Sequence, residues 1–534
     1  MMKKLIFILV LIILSAGICN AGIIGITGPD KTSLYSRTDF TVCVENGNWH
    51  NPWLQEEVTL DMYVVLPSGK TLVVPCFYVS GNNTSSKWAA RYTPQEEGIH
   101  TYNFQYAEKG SVVGKSEVSR LKVTDSGNDG ILHTNDNWTL KFDSGRLFRG
   151  VAENICWESR TNDDSKFFDK LHEEHDRFNY DVMLPKFAGN GGNFCRVWMC
   201  SWNFPVDRKS DFNNHRYTDT DKYINESAAS RLDHTVSLAE NLGIYIMLCV
   251  GPGDVRTDRS FFVSEAAKAQ YKNRLRYIVA RWGYSPAIGM WEFFNEIDNI
   301  QFRDSENPIP SGDIVGWHTE MSKYLKNIDP FGHIVTTSIS HRDLEGLNSV
   351  PDIDINQKHI YKATGVIPET IERYEAEFGK PYIIGEFGYE WDWSKNFDDF
   401  ADMMDVDFKR GLWYGLFSPT PVTPMSWWWE FFDQRGIMWY FKAVRKVSDM
   451  MLEDGRGSFV KVDLKIDGLE SYAVRCGKTT YLYMFNPSEK AVENVKLEGL
   501  VGKISQLDFR TAEFSKVGRI SGLEAFAEAL YIIK

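Results

Sequence analysis

The chain has 534 residues, a formal net charge of −13 at pH 7 and an isoelectric point near 5.5. That negative balance argues against nucleic acid or an anionic membrane surface as the main partner. A hydrophobic fraction of 43% and an aromatic fraction of 14% can fill large cores, which excludes a disordered protein. The length favours roughly two to four domains.

The first 21 residues have the pattern of a secretory signal. Lys3 and Lys4 precede an apolar run over residues 5–14, and Cys19-Asn20-Ala21 ends the segment with a small residue. We expect cleavage near Ala21 and export to the periplasm, the cell surface or the medium. Lipid anchoring at Cys19 is disfavoured, since Ile18 stands where a small residue is preferred. No later run is apolar and long enough to be a transmembrane segment.

Residues 22–124 have an all-β pattern. Apolar and polar residues alternate over residues 58–66, and the run stops at Pro67-Ser68-Gly69, a turn signal. Similar short strands are predicted at residues 40–44, 72–79, 88–92 and 102–106. This spacing indicates an immunoglobulin-like β-sandwich. Cys43 and Cys76 lie in two of the predicted strands, where a disulfide between them is possible.

Residues 125–130 form a polar, glycine-bearing linker, and beyond it strands alternate with amphipathic helices. A hairpin is predicted first, with its turn at Asp143-Ser144-Gly145. The pattern then predicts a (β/α)8 TIM barrel over residues 131–453, with eight strands at residues 147–153, 193–199, 244–250, 288–294, 334–339, 353–360, 382–386 and 424–429. Residues 454–534 read as a C-terminal β-domain, with strands at 460–466, 472–475, 480–485 and 495–497. The fold class is therefore multidomain.

Two glutamates stand at the ends of apolar strands in this pattern. Glu296, next to Asn295, follows predicted strand four, and Glu386 ends predicted strand seven between Gly385 and Phe387. Barrels of this type carry their active sites at the carboxyl ends of the strands. Low polarity there raises the pKa of a carboxylate, so we predict that Glu296 is an acid. Cleavage of a glycosidic bond uses two carboxylates, which lie roughly 5–5.5 Å apart in retaining enzymes.

The residues that carry a family resemblance are Asn295-Glu296 after strand four, Glu386 after strand seven, His359-Ile360-Tyr361 after strand six, Arg196 in strand two and a tryptophan-rich strand eight. This set resembles the glycoside hydrolases of clan A, and within them the family 5 cellulases and mannanases. The chain departs from the family 5 pattern at strand three, where Cys249-Val250-Gly251 ends without the usual histidine. The N-terminal domain, with Asn51-Pro52, Tyr78 and Trp88, resembles the immunoglobulin-like domain of unknown function 5060, which precedes bacterial polysaccharide-degrading barrels.

The resemblance implies a role for each residue. Glu296 is the acid/base and Glu386 the nucleophile, while Asn295 holds the hydroxyl next to the reacting carbon. Tyr361 donates a hydrogen bond to the nucleophile, and Arg196 keeps it ionised. No cofactor and no metal are implied, and the expected partner is a carbohydrate polymer or oligosaccharide.

Other residues near strand ends are alternative candidates for the acid or for substrate contacts. Glu292 shares strand parity with Glu296 and is an alternative acid, whereas Glu390 and Glu430 lack the same flanking pattern. His359 and His341 are candidate substrate contacts. Seven tryptophans fall at or just after predicted strand ends and are candidates for sugar stacking: Trp157, Trp202, Trp391, Trp393, Trp427, Trp428 and Trp429. We favour Trp157, Trp202 and Trp429.

The predicted function is a retaining, endo-acting hydrolase of β-glycosidic bonds. The alternatives are an exo-acting β-glycosidase and a carbohydrate-binding barrel without catalysis.

Overall fold

The computed structural model describes residues 22–45, 49–82, 84–158, 179–210, 212, 216–251, 257–392, 394–493, 495 and 502–534. The predicted signal segment with Cys19, Trp393 and most of the predicted strand at 495–497 lie outside these residues. The backbone divides into two compact units, Met1–Asp125 and Ser126–Lys534. Among the described helices, none has the length and apolar character needed to cross a membrane.

The first unit is a β-sandwich. Its strands are β1 (Ile23–Thr27), β2 (Lys31–Ser33), β3 (Thr38–Glu45), β4 (Val58–Val65), β5 (Thr71–Pro75), β6 (Phe77–Gly81), β7 (Ser85–Tyr92), β8 (Gly98–Glu108), β9 (Ser111–Lys115) and β10 (Ser119–Thr124). One sheet has the order β1-β3-β7-β6, and the other has β2-β10-β8-β4-β5 with β9 beside β8. Phe40 of the first sheet packs on Tyr102 of the second, with ring centroids 5.0 Å apart.

The alternation predicted for β4 is present, since Val58, Leu60, Met62 and Val64 are all buried. Cys43 and Cys76 are free thiols. The suggested disulfide between them is therefore wrong: Val42 and Val44 of β3 are buried, so Cys43 points to the opposite face of the sheet, whereas Cys76 is buried.

A small antiparallel sheet opens the second unit, with strands β11 (Leu132–Thr134), β12 (Leu140–Phe142) and β13 (Leu147–Phe148). The turn predicted at residues 143–145 joins β12 to β13, and Gly145 has the positive φ of 88° that this turn requires. Leu132, Leu140 and Phe142 share one apolar cluster with Phe194 and Ile334, which begin two barrel strands. The sheet thus closes the amino-terminal end of the barrel.

Seven parallel strands form the barrel wall in sequence order: β14 (Ala152–Asn154), β15 (Phe194–Trp198), β16 (Tyr245–Cys249), β17 (Ile288–Glu292), β18 (Ile334–Ile339), β19 (Ile355–Tyr361) and β20 (Tyr382–Gly388). The predicted eighth strand is instead a short irregular segment around Pro424 and Ser426. It still closes the ring, because Phe387 N donates to Met425 O at 3.0 Å and Asn154 N donates to Ser426 O at 3.2 Å. Proline lacks the N–H that a regular ladder needs. The predicted multidomain barrel architecture is confirmed.

The α-helices are α1 (Tyr180–Gly189), α2 (Glu226–Leu242), α3 (Arg259–Val263), α4 (Glu265–Trp282), α5 (Ile297–Gln301), α6 (Ser311–Ile328), α7 (Ile367–Phe378), α8 (Ala401–Leu416), α9 (Trp429–Gln434) and α10 (Phe441–Gly455). Asn225 caps α2 by accepting from Ala228 N, and Ser264 caps α4 in the same way. Helix α9 begins at Trp429, inside the predicted eighth strand.

The C-terminal β-domain is one antiparallel sheet of order β21-β22-β23-β26-β24-β25, with strands β21 (Phe459–Val462), β22 (Glu470–Cys476), β23 (Thr479–Phe485), β24 (Ile504–Asp508), β25 (Glu513–Val517) and β26 (Glu528–Ile533). It is tied to the barrel helices by the partly buried carboxylate of Glu528. Tyr440 and Tyr483 donate to Glu528 at 2.5 and 3.1 Å, and Trp413 donates to the hydroxyl of Tyr440 at 2.7 Å.

Candidate active site

The carboxyl ends of four barrel strands bring five polar side chains together. Arg196 comes from β15, Glu292 from β17, His359 and Tyr361 from β19, and Glu386 from β20. Strand alternation directs these residues to the barrel interior, at the end where barrels of this type carry their sites.

Glu386 is almost fully buried and has three neighbours. Arg196 Nη1 donates to Oε1 at 2.6 Å, and the Tyr361 hydroxyl donates to Oε2 at 2.6 Å. His359 Nδ1 lies 3.4 Å from Oε2. Burial raises the pKa of Glu386, while His359, the Arg196 cation and the Tyr361 hydrogen bond act against that rise. The permanent cation stabilises the ionised form.

Arg196 is itself held by a second carboxylate. Its Nε and Nη2 donate to the two oxygens of Glu292 at 2.6 and 2.8 Å, and Nη2 also donates to Asn295 Oδ1 at 2.8 Å. Arg196 and Glu292 are both fully buried. Both carboxylate oxygens of Glu292 thus accept from the guanidinium of Arg196. Glu292 therefore orients Arg196 instead of serving as an acid.

Glu296 lies at the start of α5 in a left-handed backbone conformation, with φ of 49°. The conformation is held by β18, because Glu296 N donates to Ser338 Oγ at 3.0 Å. Asn299 Nδ2 donates to Oε2 at 2.8 Å, and His359 Nδ1 lies 2.9 Å from Oε1. Burial, with a further contribution from Asp298, raises the pKa of Glu296 to about 7. A group with this pKa is suited to donate and take up a proton near neutral pH.

His359 bridges the two carboxylates. Burial lowers its pKa to about 4, so the imidazole is neutral. Since an ionised Glu386 can only accept, Nδ1 is expected to carry the ring hydrogen. One oxygen of Glu296, one oxygen of Glu386 and the ring nitrogen all lie within 4.8 Å of one another. In the part of the chain that the structure describes, these three side chains are also the set close enough to hold a metal ion, but a protonated Nδ1 offers no lone pair.

Asn295 directly precedes Glu296, and His341 lies in the loop that follows β18. The carbonyl oxygen of Asn295 is bonded to Arg196, which leaves Nδ2 as its donor end. His341 Nδ1 is 2.8 Å from Ser340 Oγ, and its side chain is 65% exposed. The structure therefore brings His341 to the mouth of the barrel but not into contact with either catalytic candidate.

Five tryptophans pack as one cluster: Trp157, Trp198, Trp202, Trp427 and Trp429. The cluster reaches the site through Trp198, whose ring centroid lies 5.3 Å from the guanidinium carbon of Arg196. Trp157 lies at its centre, with ring centroids 5.0 to 5.6 Å from the other four. Trp157, Trp202 and Trp427 are partly exposed, whereas Trp429 is only 1% exposed. Trp157, Trp202 and Trp427 therefore offer accessible ring surface, whereas Trp429, a predicted sugar contact, is buried against Trp157.

The remaining rim residues have structural partners. Trp428 is buried and donates to Glu390 O at 2.5 Å. Glu390 is ion-paired with Lys362 and Lys395, and these hydrogen bonds outweigh its burial and lower its pKa to about 2. Trp391 is 59% exposed.

Sequence reasoning missed several contributors. Ser338 accepts a hydrogen bond from Glu296 N, and Asp298 accepts hydrogen bonds from the loop after β18. Strand alternation indicates the face of the sheet that carries Ser338 but not its contact with Glu296. At the end of strand three, where the chain departs from the family 5 pattern, Gly251 packs closely on backbone, since a Cβ there would lie 1.6 Å from Phe293 O. The following residues, 252–256, are not among those the structure describes.

The barrel, with two carboxylates, an arginine and a His-x-Tyr pair at its strand ends, fits the resemblance to the clan A glycoside hydrolases. Residues 165–408 match the family model described as Cellulase (glycosyl hydrolase family 5), and residues 32–107 match the Domain of unknown function DUF5060. The resemblance stated from the sequence, a family 5-like barrel behind a DUF5060 domain, is confirmed.

Curated relatives and solved structures agree with this placement. Mannan endo-1,4-beta-mannosidase A of Podospora anserina is 25% identical over 40% of this chain and 65% of its own length. Mannan endo-1,4-beta-mannosidase 3 of Oryza sativa subsp. japonica is 22% identical over 35% of this chain and 44% of its own length. The chain thus spans less than two thirds of either relative.

A Bacteroides vulgatus structure assigned to the glycoside hydrolases has a TM-score of 0.63 at 15% identity and covers 95% of this chain and 100% of its own. A second structure, described as a glycoside hydrolase, has a TM-score of 0.51 at 15% identity, with coverages of 76% and 97%. These two likenesses support the fold.

Proposed function

We propose that this protein is a retaining glycoside hydrolase that cleaves β-glycosidic bonds within a polysaccharide. The observation that carries the proposal is the proximity of Glu296 and Glu386, with one oxygen of each within 4.8 Å of the other. Inverting enzymes need a wider gap of about 6.5–9.5 Å between the carboxyl groups to admit a water molecule. The short separation therefore favours double displacement.

In the first step, ionised Glu386 attacks the anomeric carbon while Glu296 donates its proton to the departing glycosidic oxygen. The carbon–oxygen bond to the leaving sugar breaks as the bond to Glu386 forms. In the second step, Glu296 takes a proton from water, whose oxygen replaces Glu386 on the anomeric carbon. Asn295 presents Nδ2 to the hydroxyl next to that carbon. Arg196 stabilises the negative charge that Glu386 regains when its bond to the sugar breaks.

The proposed substrate class is a β-1,4-linked mannan or glucan. Curated relatives named as mannan endo-1,4-beta-mannosidases and the match to the Cellulase family support this class. Trp157, Trp202 and Trp427 provide partly exposed rings beside the reacting centre, where sugar faces stack. Export, predicted from residues 1–21, fits a polymer too large to enter a cell and belongs to the proposal.

The decisive experiment is a polysaccharide screen with the purified protein. We expect internal cleavage of a β-mannan or β-glucan to mixed oligosaccharides, with the initial product in the β-anomeric form by NMR. Release of only monosaccharide or disaccharide would favour an exo-acting β-glycosidase, and initial α-anomer would replace retention by inversion. Binding without hydrolysis across the panel would contradict the enzyme proposal and favour a carbohydrate-binding barrel.

A further inference from the structure

Asp298 is a fully buried carboxylate that lies two residues after Glu296, in α5. It accepts hydrogen bonds from the loop that follows β18. Ser340 N donates to Oδ1 at 2.6 Å, and Ser340 Oγ donates to Oδ2 at 2.7 Å. The backbone N–H groups of His341 and Arg342 donate to Oδ2 at 3.2 and 3.1 Å. Four donors on one side chain anchor this loop to the helix that carries Glu296.

The donors around Asp298 are dipoles, so its negative charge is solvated but not cancelled. Arg196, by contrast, divides its single positive charge between Glu292 and Glu386. A negative charge near a carboxyl group favours the neutral form of that group. After burial, Asp298 is the strongest influence that raises the pKa of Glu296.

We propose that Asp298 is a positioning residue of the proposed hydrolase, which anchors the loop at Ser340, His341 and Arg342 and keeps Glu296 protonated for the acid step. This inference rests on the proposed function, because it concerns the proton that Glu296 delivers. It also explains why His341, although exposed, stands at the mouth: its backbone is tied to Asp298.

Charged and titratable groups face Glu296 from each surrounding element: Asp298 in α5, Arg196 on β15, His341 after β18, His359 and Tyr361 on β19, and Glu386 on β20. Arg196 and His341 oppose the influence of Asp298. His359 is neutral at working pH, so it adds little charge. Neutralising Asp298 should therefore lower the pKa of Glu296.

The test compares Asp298→Asn with Ser340→Ala across a pH series of kcat/KM on whichever polysaccharide the wild-type protein cleaves. Asp298→Asn removes the charge and turns one acceptor into a donor that faces Ser340 N. Ser340→Ala removes one hydrogen bond to the same carboxylate but keeps the charge, so it is the matched control for a loosened loop. Thermal unfolding of both variants checks that the barrel remains folded.

Activity is lost as pH rises through the pKa of Glu296, because the acid step needs its proton. We expect the basic limb to move to lower pH by about 1 unit in Asp298→Asn and to stay in place in Ser340→Ala. Lower activity with an unmoved limb in both variants would show that Asp298 is only structural and would overturn the inference. Absence of wild-type hydrolysis would instead overturn the proposed function, so the two failures are distinguishable.

Discussion

The two glutamates of the site are the same residue type in contrasting surroundings. Glu386 ends a regular strand, its side chain is 4% exposed, and it is bonded to the permanent cation of Arg196. Glu296 sits in a left-handed conformation at a helix start, is 20% exposed, and is bonded to neutral His359 and Asn299. The two surroundings differ in charge: at Glu386 the Arg196 cation opposes the rise in pKa that burial causes, whereas at Glu296 burial and Asp298 raise the pKa to about 7.

The most severe way to break this contrast is Glu386→Ala, which removes the proposed nucleophile. We expect kcat to fall by about 10⁴-fold or more, since substitution of a nucleophile has effects of this size. Oligosaccharide binding should remain measurable by calorimetry. Glu390→Gln is the control, because Glu390 is ion-paired at the rim, and it should stay close to wild type. Retention of more than a few per cent of activity in Glu386→Ala would contradict the assignment.

The next largest effect is expected for Glu296→Gln, which keeps the shape of the side chain but cannot deliver a proton. General acid catalysis contributes about 10²–10⁴-fold, so kcat/KM on polysaccharide should fall within that range. The wild-type basic limb, expected near pH 7 from the pKa of Glu296, should disappear. Aryl glycosides with good leaving groups should recover most of the first-step rate, and an unchanged basic limb in this variant would assign the limb to another group.

Arg196→Ala tests how much the cation beside Glu386 contributes to the free energy of unfolding. It leaves Glu292 and Glu386 buried without their shared cation, and loss of one partner of a buried pair costs about 3–5 kcal/mol. Denaturant unfolding of the barrel measures the loss. Arg435→Ala, which removes a more exposed pair with Asp405, should cost about 0–1 kcal/mol. Equal losses in the two variants would show that the Arg196 network is not a stability determinant.

Ser338→Ala tests what holds the backbone conformation of Glu296, and its expected effect is the smallest. It removes the oxygen that accepts from Glu296 N, at a cost of about 1 kcal/mol, or roughly fivefold in kcat/KM if the loss falls on the transition state. Thr319→Ala removes a hydroxyl that donates within α6, to Val315 O, and should have no effect on kcat/KM. Identical kinetics in both variants would mean that Ser338 does not hold the conformation of Glu296.

Much of the barrel could be predicted because its signals are local. Apolar runs and helical spacing located strands such as β18, predicted at residues 334–339 and observed as Ile334–Ile339. The prediction of a regular eighth strand was wrong for a local reason too, since Pro424 interrupts the hydrogen-bond ladder and α9 begins at Trp429. The prediction that Trp429 faces the site had the same cause, because alternation along a strand does not apply once a helix starts.

The sequence by itself determined the order of the elements and singled out Glu296 and Glu386, because each stands at or just after the end of an apolar run that must be a buried strand. The resemblance to family 5 then added Arg196, His359 and Tyr361 as candidates. Only the tertiary structure decided which groups surround each carboxylate. Closure of the barrel brings Arg196 between Glu292 and Glu386 and His359 between Glu386 and Glu296. Residues that are distant along the chain make these contacts, so their effect on charge and proton affinity cannot be read from spacing alone.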